Sequence, residues 1–300
     1  MEKRCNLCPR QCDADREIKI GYCGESNSVR LARAALHMWE EPCISGENGS
    51  GAVFFTGCAL RCIFCQNNKI ANGSIGKKVS IDGLAKTFLQ LQDQNATNIN
   101  LVTASHFIPQ VVEALYQAKK DGLHIPIVYN CSGYESIETL KRLNGVIDIY
   151  LPDMKYYNPI LSQNFSNAPD YFHVASKAIE EMVSQIKAPV FDDNGMMRKG
   201  VNVRHLILPA HTKDSCNIIK YLYQKYGDNI YISLMNQFTP VIRQEKFMEL
   251  NRKLTKREYS KVIDYALSLG VTNAFIQEGE TAKESFIPSF DYEGVLEQKQ

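Results

Sequence analysis

From residue 51 onward the chain alternates short apolar runs with longer amphipathic ones. Runs of strand length, rich in Val, Ile, Tyr and Phe, predict strands over 52–56, 99–102, 125–129, 146–151, 201–208 and 230–234, with a final short strand over 273–277. Between them, apolar positions recur at helical spacing over 81–92, 108–120, 137–143, 170–186, 216–226 and 259–269. Ser80-Ile81-Asp82 supplies a cap for the first of these helices. Repeated strand–helix units argue for an α/β fold, with a parallel sheet covered by helices. Six or seven units suit a barrel better than a doubly wound sheet. No G-x-G-x-x-G opens a helix, so the dinucleotide fingerprint is missing.

Upstream the pattern is weaker. Residues 29–36 read as a strand or a short helix, and the Gly/Ser-rich stretch 45–51 is a break. The expected division is an N-terminal cysteine module and connector over 1–50, followed by the barrel over 51–300.

Barrel enzymes carry their chemistry where strands end and the following loops begin. The residues there are Gly57-Cys58, Thr103-Ala104-Ser105-His106, Asn130-Cys131-Ser132-Gly133, Pro152-Asp153-Met154-Lys155, Arg204-His205 with Pro209-Ala210-His211, and Met235-Asn236-Gln237. Polar groups converging from six separated places make a pocket. His106, His205 and His211 are read as loop or packing histidines before ligands.

The first of these loops is the most informative. Cys58, Cys62 and Cys65 stand at spacing C-x3-C-x2-C directly after an apolar run. Thiolates are the soft donors that iron–sulfur clusters take. A structural zinc site wants four ligands, and the next cysteine along the chain is Cys131. Three ligands on a 4Fe–4S cluster leave one iron open to bind something else. A second cysteine group, Cys5, Cys8, Cys12 and Cys23, has spacing C-x2-C-x3-C-x10-C, with Gly21 and Gly24 beside the last thiol. Four thiols can close a structural zinc site or hold an auxiliary iron–sulfur cluster. Cys43 is a spare thiol able to replace one of them.

Composition narrows the function classes. The 300 residues are 44% hydrophobic, enough for a sizeable core. A net charge of +1 gives no broad attraction to nucleic acid or membrane. The opening Met1-Glu2-Lys3-Arg4-Cys5 has no apolar secretory core, and no apolar run has membrane-spanning length. Ten cysteines without such a signal fit metal ligation in a reducing compartment, so the expectation is cytoplasmic.

The C-x3-C-x2-C loop, with Phe64 just before its third cysteine, resembles the radical S-adenosylmethionine (SAM) enzymes. The runs 100–103, 126–130, 148–155 and 204–209 are similar to the PflX-type subgroup, named after pyruvate formate-lyase activating enzymes. The resemblance implies a partial (β/α)6 barrel open on one side. It implies a 4Fe–4S cluster on Cys58, Cys62 and Cys65, whose open iron chelates SAM, and Phe64 packed on the adenine. Asp153-x-Lys155 matches a motif beside the SAM ribose, and Arg204 matches a strand-five arginine near the active site. These three are the expected catalytic residues. Thr103, Ser105 and Asn130 are the further expected cofactor contacts, because the Gly-Gly-Glu-Pro segment that holds the SAM ammonium in many members is absent. The implied activity is reductive cleavage of SAM to a 5′-deoxyadenosyl radical that takes hydrogen from a glycyl-radical-type protein. A reductant of flavodoxin or ferredoxin type would supply the electron. The competing readings are modification of a small molecule or another peptide, and a non-catalytic iron–sulfur electron carrier.

Overall fold

A computed structural model gives the architecture and describes residues 4–277 and 287–296. Residues 1–3, 278–286 and 297–300 of the two expected units lie outside the described residues. The strands are β1 (Arg30–His37), β2 (Ser50–Phe55), β3 (Lys77–Lys78), β4 (Ile99–Val102), β5 (Ile127–Cys131), β6 (Ile149–Pro152), β7 (Val190–Phe191), β8 (Met197–Leu206), β9 (Tyr231–Met235) and β10 (Ala274–Ile276). The helices are α1 (Pro42–Ser45), α2 (Asn68–Ala71), α3 (Ile81–Asp93), α4 (Ile108–Lys120), α5 (Ile137–Lys141), α6 (Pro159–Ser166), α7 (Tyr171–Ile186), α8 (Thr212–Tyr226) and α9 (Lys256–Ser268).

The sheet runs β10-β9-β8-β6-β5-β4-β2-β1-β3, and every neighbouring pair from β2 to β10 is parallel. Each residue of β2, β4, β5 and β6 is buried. That explains why these strands read as continuous apolar runs, since a parallel sheet is covered on both faces. On one face Tyr129, Cys131 and Tyr150 join the large core under the helices. On the other, Val128, Ile149 and Leu151 pack with Cys43, Ile44 and Met197. Cys43 therefore belongs to an apolar interior cluster, where burial pushes its thiol up to about 12, and is not a spare for the N-terminal group.

Of the departures from the expected pattern, two bear on the site. The stretch read as a strand or a short helix forms β1, which pairs antiparallel with β2, so the expected division after residue 50 falls just inside β2 and parts it from its hydrogen-bonded neighbour. Helix α6 was not predicted; it is capped by Asn158, whose side chain accepts from the Ile160 N–H, and Pro159 suits its first turn. At eight residues it is short, and its apolar positions do not fall on one clear face, so it gives no helical period.

Candidate active site

The strand ends converge on one cavity of about 220 Å³, lined by Cys58, Cys62, Phe64, Cys65, Thr103, Asn130, Asp153, Lys155 and Arg204 among others. The turn that carries the thiols begins at Gly57, with φ of +80°. A Cβ on it would lie 2.8 Å from the Cys23 carbonyl oxygen and 2.5 Å from Glu25 Cγ, so only glycine fits. The loop is then pinned from both sides. The Cys58 N–H donates to the Cys23 carbonyl at 3.0 Å, and the Ile63 N–H to the Phe165 carbonyl at 2.9 Å.

The sulfurs have specific partners. The Leu60 N–H donates to Cys58 Sγ at 3.4 Å. The Ser166 hydroxyl donates to Cys62 Sγ at 3.0 Å and pairs with the Tyr156 hydroxyl at 2.7 Å. Burial, reinforced by the neighbouring thiols, pushes Cys65 up to about 12, and burial also raises Cys58. Without a metal the Cys58 and Cys65 thiols stay protonated. A thiophilic centre that displaces the protons supplies the compensating charge. Phe64 is nearly buried and stands edge-on to Tyr156 and Phe165.

Across the cavity lies a charged cluster. Arg204 donates from Nε to Asp153 at 3.1 Å, from Nη1 to Glu40 at 3.0 Å and from Nη2 to Asn130 Oδ1 at 2.6 Å. Lys155 Nζ donates to the other Asp153 oxygen at 2.5 Å. Glu40 also accepts from Asn100 at 2.8 Å. Burial disfavours the Asp153 carboxylate, but Lys155 and Arg204 outweigh it and hold the group below its ordinary range. Burial likewise works against Lys155 and Arg204, and Asp153 reverses it for both. All three groups are therefore ionised at neutral pH, poised for polar recognition.

Of the sequence-predicted residues, Cys58, Cys62, Cys65, Phe64, Thr103, Asn130, Asp153, Lys155 and Arg204 line this one cavity. Ser105 does not. It is buried behind β4, donating to Glu135 at 2.8 Å and accepting from Tyr129 at 3.2 Å. Thr103 sits at φ +62°, a left-handed conformation that is costly for a β-branched residue. His106, His205 and His211 are not among the residues that line the cavity. His106 donates from Nε2 to the Thr56 carbonyl and His205 from Nδ1 to the Met154 carbonyl, each at 2.7 Å, and burial lowers them to about 3 and about 4. His211 lies 3.5 Å from Glu249. The sequence reading missed Glu40 and Ser166. Glu40 lies in what read as a connector, and Ser166 in the helix that gave no periodic signal.

The model for the Radical SAM superfamily matches residues 52–207. The chain belongs to the radical SAM superfamily. The matched segment spans the thiol loop and the Asp153–Lys155–Arg204 cluster, and membership brings a 4Fe–4S cluster and SAM to this radical SAM enzyme. An uncharacterized protein of Methanocaldococcus jannaschii is 27% identical over 88% of this chain and 74% of its own. The pyruvate formate-lyase 1-activating enzyme of Escherichia coli is 25% identical over 53% of this chain and 72% of its own. The pyruvate formate-lyase-activating enzyme of Listeria monocytogenes is 27% identical over 56% and 66%. The solved structure of methylornithine synthase covers 81% of this radical SAM chain and 70% of its own, with a TM-score of 0.50 and 13% identity. That of Streptococcus suis SuiB covers 77% and 49%, with a TM-score of 0.51 and 12% identity. These two share the fold.

The donor set fits the group that membership brings. Three soft thiols open onto a cavity that also holds cationic and hydrogen-bonding side chains. Among the described residues no three His, Cys, Asp or Glu side chains converge on a single ion. A cluster does not require that, because each thiolate binds a different iron.

Proposed function

We propose that this radical SAM enzyme activates a partner protein by generating a radical on it, as a glycyl-radical activating enzyme does. Cys58, Cys62 and Cys65 would hold the cluster, which together with SAM supplies a 5′-deoxyadenosyl radical when reduced by one electron. The observation that carries the reading is that the three thiols and the ionised Asp153–Lys155–Arg204 cluster face one cavity. The likeness to two activating enzymes supports the choice of a protein substrate.

Each residue then has a physical task. Ser166 donates to Cys62 and stabilises negative charge on that sulfur. Phe64, fixed by its ring neighbours, offers an apolar face to an adenine. Asp153 presents an anion already neutralised by two cations, so it accepts ribose hydroxyls without changing protonation. Arg204, clamped by Asp153, Glu40 and Asn130, keeps a fixed guanidinium beside the substrate space. Thr103 and Asn130 offer oxygen acceptors to the SAM ammonium in place of Gly-Gly-Glu-Pro. Cys5, Cys8, Cys12 and Cys23 would hold a second metal centre. A reductant of flavodoxin or ferredoxin type would deliver the electron.

The test mixes anaerobically reduced enzyme and SAM with candidate glycyl-radical proteins and records the electron paramagnetic resonance (EPR) spectrum. The reading predicts a protein-based radical on one partner that depends on SAM. Turnover of SAM with only a small-molecule product, and no protein radical on any partner, would contradict it.

A further inference from the structure

The four N-terminal thiols lie outside the cavity but against the loop that lines it. Cys8 and Cys23 are buried and Cys5 and Cys12 half-buried. The sulfurs share one patch. Cys12 Sγ and Cys23 Sγ each lie 3.5 Å from the point that a Cβ on Gly21 would occupy. Any side chain there would fill the space between the sulfurs.

The patch has its own buried cation. Arg16 Nη1 lies 3.9 Å from Cys5 Sγ, while the same guanidinium donates to the Glu25, Ser26 and His106 carbonyls. Its position is thus fixed by backbone, not by a carboxylate. A fixed cation beside Cys5 offsets part of the negative charge that a tetrathiolate centre gathers.

The patch and the cavity loop are locked together. Besides the Cys58-to-Cys23 hydrogen bond, Arg10 donates from Nε to the Ala59 carbonyl at 2.9 Å and from Nη2 to the Ser166 carbonyl at 2.9 Å. Arg61 from the cavity loop reaches back over the Tyr22 ring, 5.3 Å from its centroid. A path from Cys23 Sγ to Cys58 Sγ follows side-chain and backbone bonds, interrupted by one hydrogen bond of 3.0 Å.

We propose that Cys5, Cys8, Cys12 and Cys23 hold a redox-active iron–sulfur cluster that passes one electron to the Cys58–Cys62–Cys65 site across the Cys23–Cys58 hydrogen bond. This rests on the reading of both thiol groups as metal centres and specifies the second. Zinc has no redox chemistry, so a zinc site would use this contact only to pin the loop. The step balances in electrons. A low-potential one-electron donor protein loses one electron, the N-terminal cluster gains it and gives it up again, and the three-thiol site is reduced by one. Ile18 and Ile20, on the segment between Cys12 and Cys23, are 82% and 66% exposed and give such a donor an apolar footing.

The test compares the full-length protein with two variants, all purified anaerobically. One carries Cys58→Ser, Cys62→Ser and Cys65→Ser; the other carries Cys12→Ser and Cys23→Ser. The proposal predicts about eight irons per chain in the parent and about four in the triple variant, with a reducible cluster and no stoichiometric zinc. The fully reduced parent should show an EPR spectrum split or broadened by coupling between two clusters, which each variant loses. One zinc per chain or no iron in the triple variant overturns the proposal and leaves the three-thiol site standing. Two uncoupled signals in the reduced parent overturn the electron route. If the double variant also lacks any reducible cluster yet folds, the three-thiol reading itself fails. If the double variant does not fold, the triple variant alone decides the cluster, and the parent's spectrum the route.

Discussion

Replacing Ser166 with alanine removes the hydroxyl that donates to Cys62 Sγ at 3.0 Å. Ser166 is 2% exposed and Tyr156 is fully buried, so the hydroxyl meets Cys62 from the packed side of the loop. A hydrogen bond to a charged acceptor contributes about 1.5–3 kcal/mol. Reduction spreads one added electron over the cluster and its thiolates, so this single bond senses only part of the change. About 1 kcal/mol of differential stabilisation corresponds to about 40 mV for one electron. The sign is fixed, because a donor to sulfur favours the more negative state. Ser166→Ala therefore lowers the potential by tens of millivolts, making reduction harder. Tyr156→Phe removes only the second link of the chain, and should shift it the same way by less. Spectroelectrochemical titration of the cluster reads both. An unchanged or raised potential in folded Ser166→Ala protein would refute the reasoning.

Other consequences are equally open to measurement. Asp153→Asn leaves Lys155 without its partner at 2.5 Å and Arg204 with Glu40 as its one remaining ion-pair partner among the described residues. The expected cost is about 3–5 kcal/mol in denaturant unfolding, with weakened SAM binding by calorimetry; a loss under 1 kcal/mol would mean that the cluster is not desolvated. Glu40→Gln removes the 3.0 Å ion pair from Arg204 and should cost about 2 kcal/mol, raising KM for SAM more than it lowers kcat; an unaltered KM argues against that placement. Glu135 gives a pH dependence. Burial pushes its carboxyl from 4.5 up to about 7, against hydrogen bonds from Ser105, Tyr129 and Cys131. The folded state therefore holds the proton more tightly than the unfolded chain. The contribution is full below pH 4.5 and is lost as pH rises to about 7, a span of about 3 kcal/mol. The thermal midpoint should fall from pH 5 to pH 8 in the parent and fall less in Glu135→Gln; equal slopes would rule the group out.

How much of this was legible in the sequence follows from burial. β4 and β5 are buried along their whole length, so their apolar runs stood out and their bounds fall within two residues of those expected. β8 was read only from residue 201, because its first turn of sequence, Met197-Arg198-Lys199-Gly200, forms a partly exposed hairpin with β7 and looks polar. The thiol loop was legible because its spacing is tied to one chemistry. Asp153, Lys155 and Arg204 were found through strand ends and family likeness. Glu40 could not be found that way: it precedes the barrel in sequence and reaches Arg204 only because β1 folds back along β2. Ser105 shows the opposite failure. It follows a strand end, yet the short turn at Ser105–Phe107 rotates its hydroxyl toward Glu135.

The central claim is that Cys58, Cys62 and Cys65 hold a cluster whose open iron receives SAM. The most direct test is to reduce anaerobically reconstituted protein in the presence of SAM and quantify 5′-deoxyadenosine, for the parent and for Cys62→Ala. The account predicts steady production by the parent and none above background by the variant. Formation at the parental rate in folded Cys62→Ala protein would contradict it.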